Sequence, residues 1–183
     1  EALFDLGATV CTARRPACAA CPLTDDCQAH AAGQEEAFPN RRPRRPLPRH
    51  VVTAAVIWQG DQVLLAQRPN TSMLGGLWEF PGGKCEAGET LPACLRREIE
   101  EELALPIEVL APLATVEHTY THMHITLHAF HCRPLAGTPQ AIGVQDWRWV
   151  RPAEIAAFPL SVADQRIVEA LLRDGRPPAV GEA

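Results

Sequence analysis

Lysine is almost missing. Lys84 is the single lysine among 183 residues, against 17 Lys and Arg together. Aromatic residues are sparse at 5%, with one tyrosine. No apolar run approaches the ~18 residues of a membrane span. No basic segment followed by an apolar stretch opens the chain, so nothing reads as a secretory signal. No internal repeat is visible, which excludes a solenoid or propeller. The first residue is Glu1 rather than Met, and the opening segment reads as the tail of something longer, so an incomplete chain is expected. What is present is ordinary for a globular protein: 46% hydrophobic and 21% charged residues, which excludes wholesale disorder.

Charge and cysteine are unevenly spread. Net charge is −5, yet residues 1–50 hold seven Arg against six acids. A basic run, Arg41, Arg42, Arg44, Arg45 and Arg49, lies among prolines and reads as a solvated linker first and a phosphate contact second. An acidic run, Glu98, Glu100, Glu101 and Glu102, reads as a solvated helix face or a cation site. Four of the seven cysteines, Cys11, Cys18, Cys21 and Cys27, are clustered, while Cys85, Cys94 and Cys132 are scattered. An odd count without a secretory signal argues against a disulfide framework and for a reducing cytosol. The scattered three are expected to be buried small hydrophobes.

The pattern divides into four segments. Residues 1–32 start as a helix with Leu3, Leu6 and Val10 on one face, then become a loop rich in Cys and Pro. Residues 33–50 have linker composition. Residues 51–173 form the main domain, and 174–183 a flexible Pro/Gly tail. Strands are expected at 51–58, 62–68, 125–132 and 146–150, the first two joined by a turn at Gly60-Asp61. A helix is expected over 91–103, with Thr90 as N-cap and Leu95, Ile99 and Leu103 inward. A second spans 161–172 with Val162, Ile167, Val168 and Leu171 inward.

The clustered cysteines follow Cys-x6-Cys-x2-Cys-x5-Cys. Four thiolates in one short loop can hold one metal centre, and ligand count alone fits both zinc and a [4Fe–4S] cluster. The spacing and flanking words, DLGATVCTARRPACAACPLTDDCQA, resemble the iron–sulfur loop of the endonuclease III and MutY family of DNA glycosylases. The resemblance implies a [4Fe–4S] cluster on Cys11, Cys18, Cys21 and Cys27. It also implies a loop near DNA phosphates, with Arg14 and Arg15 as contacts. It does not imply glycosylase chemistry here, because the family's helix-hairpin-helix and catalytic Asp lie upstream of this loop.

In the main domain, Glu98, Glu101 and Glu102 stand at i, i+3 and i+4 and share one helix face. Their repulsion is offset by a hard cation, and oxygen ligands suit Mg²⁺ or Mn²⁺. The preceding Pro-Gly-Gly-Lys loop adds backbone groups and one cation, which points to pyrophosphate handling. Gly83, Glu89, Arg97, Glu98, Ile99, Glu101, Glu102 and Leu105 match the box G-x5-E-x7-R-E-U-x-E-E-x-G-U, where U is aliphatic. The segment resembles the Nudix hydrolases, and WEFPGGKCEAGET is similar to the MutT type. The resemblance implies an α+β fold, an α/β/α sandwich with a mixed sheet, behind a small helical cluster loop. It implies Mg²⁺ on Glu98, Glu101, Glu102 and the Gly82 carbonyl, a Glu89–Arg97 brace, and phosphate contacts from Arg68 and Lys84.

Two positions depart from the family's pattern. Ala104 replaces the last glycine of the box, and if it ends the helix in the left-handed region it costs ~1 kcal/mol. Gly143 lies where many relatives carry a Glu, so Glu102 or another box carboxylate would serve as base. Asp164 aligns with the position that reads the purine edge in MutT-like enzymes. A carboxylate there can accept from guanine or from a cytosine amine, or simply favour a helix N-terminus. The five histidines His118, His122, His124, His128 and His131 allow a zinc site or a polar strand face. Tyr120, Thr121 and His122 are similar to the 8-oxoguanine-reading loop of the MutY C-terminal domain.

Two functions are therefore expected to compete. One is a Mg²⁺-dependent pyrophosphohydrolase of oxidised purine nucleoside triphosphates, taking 8-oxo-dGTP to 8-oxo-dGMP, in the back half of a MutY–MutT fusion that meets DNA through its glycosylase part. The other is a non-hydrolytic 8-oxoguanine recognition domain of an adenine DNA glycosylase.

Overall fold

The computed structural model describes residues 2–39 and 46–176. The chain divides into two compact units, Glu1–Pro46 and Leu47–Ala183. Of the proline-rich segment, Arg41, Arg42, Arg44 and Arg45 lie outside the described residues, as do 177–183 of the tail. Arg49, the fifth of the basic run, opens the first strand instead of belonging to a linker.

The first unit begins with helix α1, Ala2–Thr9, which has no buried residue. Leu3 and Leu6 lie one turn apart on it, as the pattern expects, but neither is buried. Leu3 is 74% exposed, and the helix stops short of Val10. Among the described residues the unit has no strand, and its other helix, α2 (Gln28–Ala31), is one turn long, so that face has little to pack on. The rest of the unit is tight turns, closed by Ala17 N donating to Val10 O (2.9 Å) and Cys21 N to Cys18 O (3.0 Å). Thr24 Oγ1 lies 2.5 Å and 2.8 Å from the carbonyl oxygens of Cys18 and Cys21 and shares its hydrogen between them.

The second unit is a six-stranded mixed sheet between two helices. Strand β1 (Arg49–Gln59) is central. It pairs antiparallel with β2 (Gln62–Gln67) through a two-residue turn at Gly60-Asp61, and parallel with β5 (His124–Pro134). The order runs β3 (Trp78–Glu79), β2, β1, β5, β4 (Ile107–Thr119), and β6 (Asp146–Val150) pairs with β2. Because strand side chains alternate, β1 feeds two cores. Ala55 and Ile57 meet Leu95, Ile99 and Leu103 of helix α3 (Leu91–Leu103). Ala54, Val56 and Trp58 meet Ala163, Ile167 and Leu171 of helix α4 (Val162–Asp174). Val162, expected inward, is instead 51% exposed, because it follows the Ser161 cap and points off the end of the buried stripe.

Strands β3 and β4 were not legible in the sequence. The first has two residues. The second is interrupted by register shifts around Pro112 and buries little beyond Ile107 and Val116, so no alternation marks it.

Candidate active site and cysteine loop

Helix α3 carries the carboxylates. The Thr90 hydroxyl caps it by accepting from Ala93 N, and Ala104 ends it in the left-handed region at φ 46°. Burial of Leu95 and Ile99 turns the next stripe, Glu98 and Glu102, toward the loop after β3. Two glycines let that loop approach. A Cβ on Gly82, whose φ is +151°, would sit 2.2 Å from Thr53 O. A Cβ on Gly83 would sit 2.3 Å from the Glu98 carboxylate. Loop and helix are joined by Arg97, whose Nε and Nη2 each donate to Glu89 at 2.9 Å. Its Nη1 reaches Glu98 (2.9 Å) and Glu101 (3.2 Å). Arg97 pulls the Glu89 carboxyl down to about 2.

Beside this face lies a cavity of about 300 Å³, lined by Arg68, Glu79, Gly82, Lys84, Glu102 and Asp164, with Tyr120 at its wall. Its acids are perturbed by burial. Glu102 is pushed up to about 7, first by burial and then by Glu98. Its Oε2 is buried without a hydrogen-bond partner. Asp164, 7% exposed, is also raised by burial, while Ser161 Oγ (2.6 Å) and Phe80 N (3.2 Å) fix its two oxygens.

Glu79 escaped the sequence reading. It pairs with Arg68 at 2.5 Å, yet burial outweighs that ion pair and raises it to about 8. Its only signal was an acid set between Trp78 and Phe80, both of which are buried.

The cavity thus gathers Arg68, Lys84, Gly82, Glu102, Asp164 and Tyr120, while Glu98, Glu101, Arg97 and Glu89 sit on the adjoining helix and loop. Thr121 and His122 do not line it. Both are exposed in the turn between β4 and β5, with the His122 ring 6.4 Å from that of Tyr120. The zinc reading of the histidines finds no support among the described residues, where these rings make separate contacts. His124 and His128 bond Thr119 and Thr115, and His131 accepts from Trp58. Strand β5 starts at His124, so His122 never shares its face. Gly143 packs against Glu102. Its N donates to Glu102 O (3.0 Å), and a Cβ there would meet Glu102 Cγ at 3.1 Å.

The residues suit a hard divalent cation: three carboxylates on one face, one buried oxygen without a partner, and a glycine loop that leaves room. In the first unit, Cys11, Cys18, Cys21 and Cys27 all line one largely apolar pocket. Burial holds the Cys18 thiol above its ordinary value, followed by Glu35 and then Cys27, Cys11 and Cys21. Four cysteines around one apolar pocket fit a metal centre that takes all four as thiolates.

Comparison with known proteins agrees with these parts. The NUDIX domain model matches residues 53–170, and the iron-sulfur binding domain of endonuclease III matches residues 11–27. The CTP pyrophosphohydrolase of Escherichia coli (strain K12) is 41% identical over 128 residues, 69% of this chain and 95% of that one. The 8-oxo-dGTP diphosphatase of Proteus vulgaris is 41% identical over 81 residues, 44% of this chain and 72% of that one. The adenine DNA glycosylase of Homo sapiens is 28% identical over 218 residues, 91% of this chain; the chain spans only 39% of that protein. Among solved structures, the E. coli ORF135 protein superposes with TM-score 0.62 at 38% identity, covering 73% of this chain and 96% of that one. With its sheet, its box and this match over most of its length, the chain belongs to the Nudix family.

Proposed function

We propose that this chain is a Mg²⁺-dependent pyrophosphohydrolase of oxidised purine nucleoside triphosphates, converting 8-oxo-dGTP to 8-oxo-dGMP and pyrophosphate. The observation that carries it is the single cavity where Asp164, Arg68 and Glu102 meet beside the carboxylate face of α3. Glu98, Glu101, Glu102 and the Gly82 carbonyl would hold the cation, which when bound neutralises phosphate charge. Arg68 and Lys84 receive the phosphates. Asp164, held by Ser161 and Phe80, accepts hydrogen bonds from the base edge. A water oxygen bonds to phosphorus, the bridging P–O bond breaks, and the water's proton passes to a box carboxylate. Glu102 is the first choice for that proton, since its buried Oε2 has no hydrogen-bond partner of its own. This role follows from Gly143, which brings no acid beside Glu102.

The first unit carries the [4Fe–4S] cluster in this reading, and the whole serves a MutY-type oxidised-guanine repair protein that meets DNA through glycosylase parts. The 28% identity to an adenine DNA glycosylase over 91% of the chain supports that link. A second reading, a cytosine triphosphate as substrate, rests on Asp164, which also accepts from a cytosine amine, and on the 41% identity to a CTP pyrophosphohydrolase.

The test is pyrophosphate release with Mg²⁺ from 8-oxo-dGTP, dGTP, CTP and dCTP, with the E101Q/E102Q double variant as control. Release that favours 8-oxo-dGTP and vanishes in the control supports the proposal. Preference for CTP or dCTP moves the substrate to cytosine. No release from any leaves the non-hydrolytic recognition domain, with Tyr120, Thr121 and His122 as its reading loop.

A further inference from the structure

Two cysteines that the hydrolytic reading leaves unused lie together beside α3. The segment 81–85 runs alongside β1. Ala55 N donates to Pro81 O (2.8 Å), Thr53 N to Gly83 O (2.8 Å), and Cys85 N to Val51 O (2.9 Å). Side chains alternate along such a segment, so positions 83 and 85 face the same way. Gly83 faces Glu98, and Cys85 faces Cys94, one turn earlier on the same helix. The sulfurs of Cys85 and Cys94 and a carboxylate oxygen of Glu89 all lie within 4.8 Å of one another. Cys94 is buried, with Thr53 Oγ1 at 3.3 Å, while Cys85 is half-buried and reaches solvent.

A metal ion is a poor occupant. Both Glu89 oxygens already receive Arg97, whose Nη2 also stands 3.9 Å from the Cys94 sulfur. A cation bound there would face a guanidinium. Two thiols this close need no third ligand to be joined.

We propose that Cys85 and Cys94 form an oxidation site: a hydroperoxide converts the pair to an intramolecular disulfide that latches the Gly82–Cys85 loop to α3. The Cys85 sulfur, the more accessible, attacks one peroxide oxygen. The O–O bond breaks, the other oxygen leaves as water or an alcohol with the Cys85 proton, and Cys85 becomes a sulfenic acid. The Cys94 sulfur then attacks Cys85, the S–S bond forms, the S–O bond breaks, and the hydroxyl leaves as water with the Cys94 proton. Two electrons pass from the thiols to the peroxide. Burial, followed by Cys94, holds the Cys85 thiol up at about 12, so the first step is slow and answers to peroxide in excess.

The proposal is independent of whether the chain hydrolyses nucleotides, and its test reads the bond directly. The full chain is treated with hydrogen peroxide, remaining thiols are alkylated under denaturing conditions, and trypsin is added. Cleavage after Lys84 and Arg96 releases Cys85–Arg96, which holds both cysteines and no other. The expected peptide is unalkylated and two hydrogens lighter than the dithiol, and dithiothreitol converts it to a doubly alkylated form. Closing so short a loop should also raise the unfolding midpoint of the second unit by roughly 5 °C. Neither effect should occur in C85S or C94S. A doubly alkylated peptide after treatment, or sulfinic acid on Cys85 with Cys94 still alkylatable, overturns the proposal. A linked peptide from a chain that hydrolyses nothing would sink the proposed function and leave this one standing.

Discussion

The two units of this chain solve the same problem by opposite means. The second buries two side-chain layers against a sheet, and twelve of its larger side chains are fully buried. The first has no buried residue among those described, and it is closed by backbone hydrogen bonds, the hydroxyls of Thr9, Thr12 and Thr24, and a His30–Glu35 contact. Hydrogen bonds of that kind contribute little net stability each, since water offers the same partners. A segment this short with no buried layer is expected to depend on its four cysteines holding a common centre. Apolar periodicity builds a core in the second unit, and the first, with none among its described residues, is expected to rely on its cysteine spacing instead.

That contrast can be broken from either side. The largest expected effect is on the cysteine loop. Cys18→Ser should abolish cluster absorbance and leave residues 2–39 open to proteolysis, while thermal unfolding of the second unit stays unchanged. A coupled loss would mean that the second unit leans on the first. On the other side, Glu102→Gln should cut turnover by roughly 10²–10³-fold, the size typical of losing one electrostatic or proton-handling group. The fold should persist, as read by circular dichroism, because glutamine matches the size of a carboxyl that burial already pushes toward neutrality. Ile99→Ala should cost the second unit about 2–5 kcal/mol in denaturant melts, since Ile99 is fully buried between α3 and β1. The cluster's absorbance should not change.

Two smaller effects sharpen the energetics of the second unit. Glu79 ionises at about 8 when folded, against an ordinary 4.5. Between those values the folded state holds a proton that the unfolded chain has released, so stability falls as pH rises from about 4.5 to 8. Glu79→Gln should flatten that slope in metal-free melts across pH. The smallest effect is Ala104→Gly. Ala104 sits at φ 46°, and glycine should add about 0.5–1 kcal/mol by relieving the left-handed cap. No gain there would mean that the lost Ala104 contacts offset the relief.

Much of the second unit was legible because its signals are local. The helix over 91–103 shows a period and a Thr90 cap, and the hairpin at Gly60-Asp61 shows a turn between β-branched runs. Of the six candidate residues that the cavity gathers, Arg68, Gly82, Lys84 and Glu102 were legible through the box and its flanks, and Asp164 and Tyr120 through the last helix and the loop after β4. Glu79 was not, because a lone acid in a two-residue strand carries no pattern until Arg68 and Asp164 close around it. The histidine run allowed a ligand cluster or a polar strand face, and which holds depends on where β5 begins and what each ring packs against. The Cys85–Cys94 pair was hidden for a related reason: nine positions apart in sequence, they meet only when the loop lies along β1.

Sequence by itself determined the parts whose physics runs along the chain. These are the four-thiol spacing, the carboxylate stripe at i, i+3 and i+4, the helix cap, and the absence of any apolar run long enough for a membrane. Tertiary structure alone decided what depends on burial. It raised Glu79 and Glu102 toward neutrality, left one Glu102 oxygen without a partner, set Gly83 against Glu98, and brought two scattered cysteines together. The reason is dielectric and geometric. A side chain's charge, reach and neighbours are set by what packs over it, and packing joins segments that the sequence keeps apart.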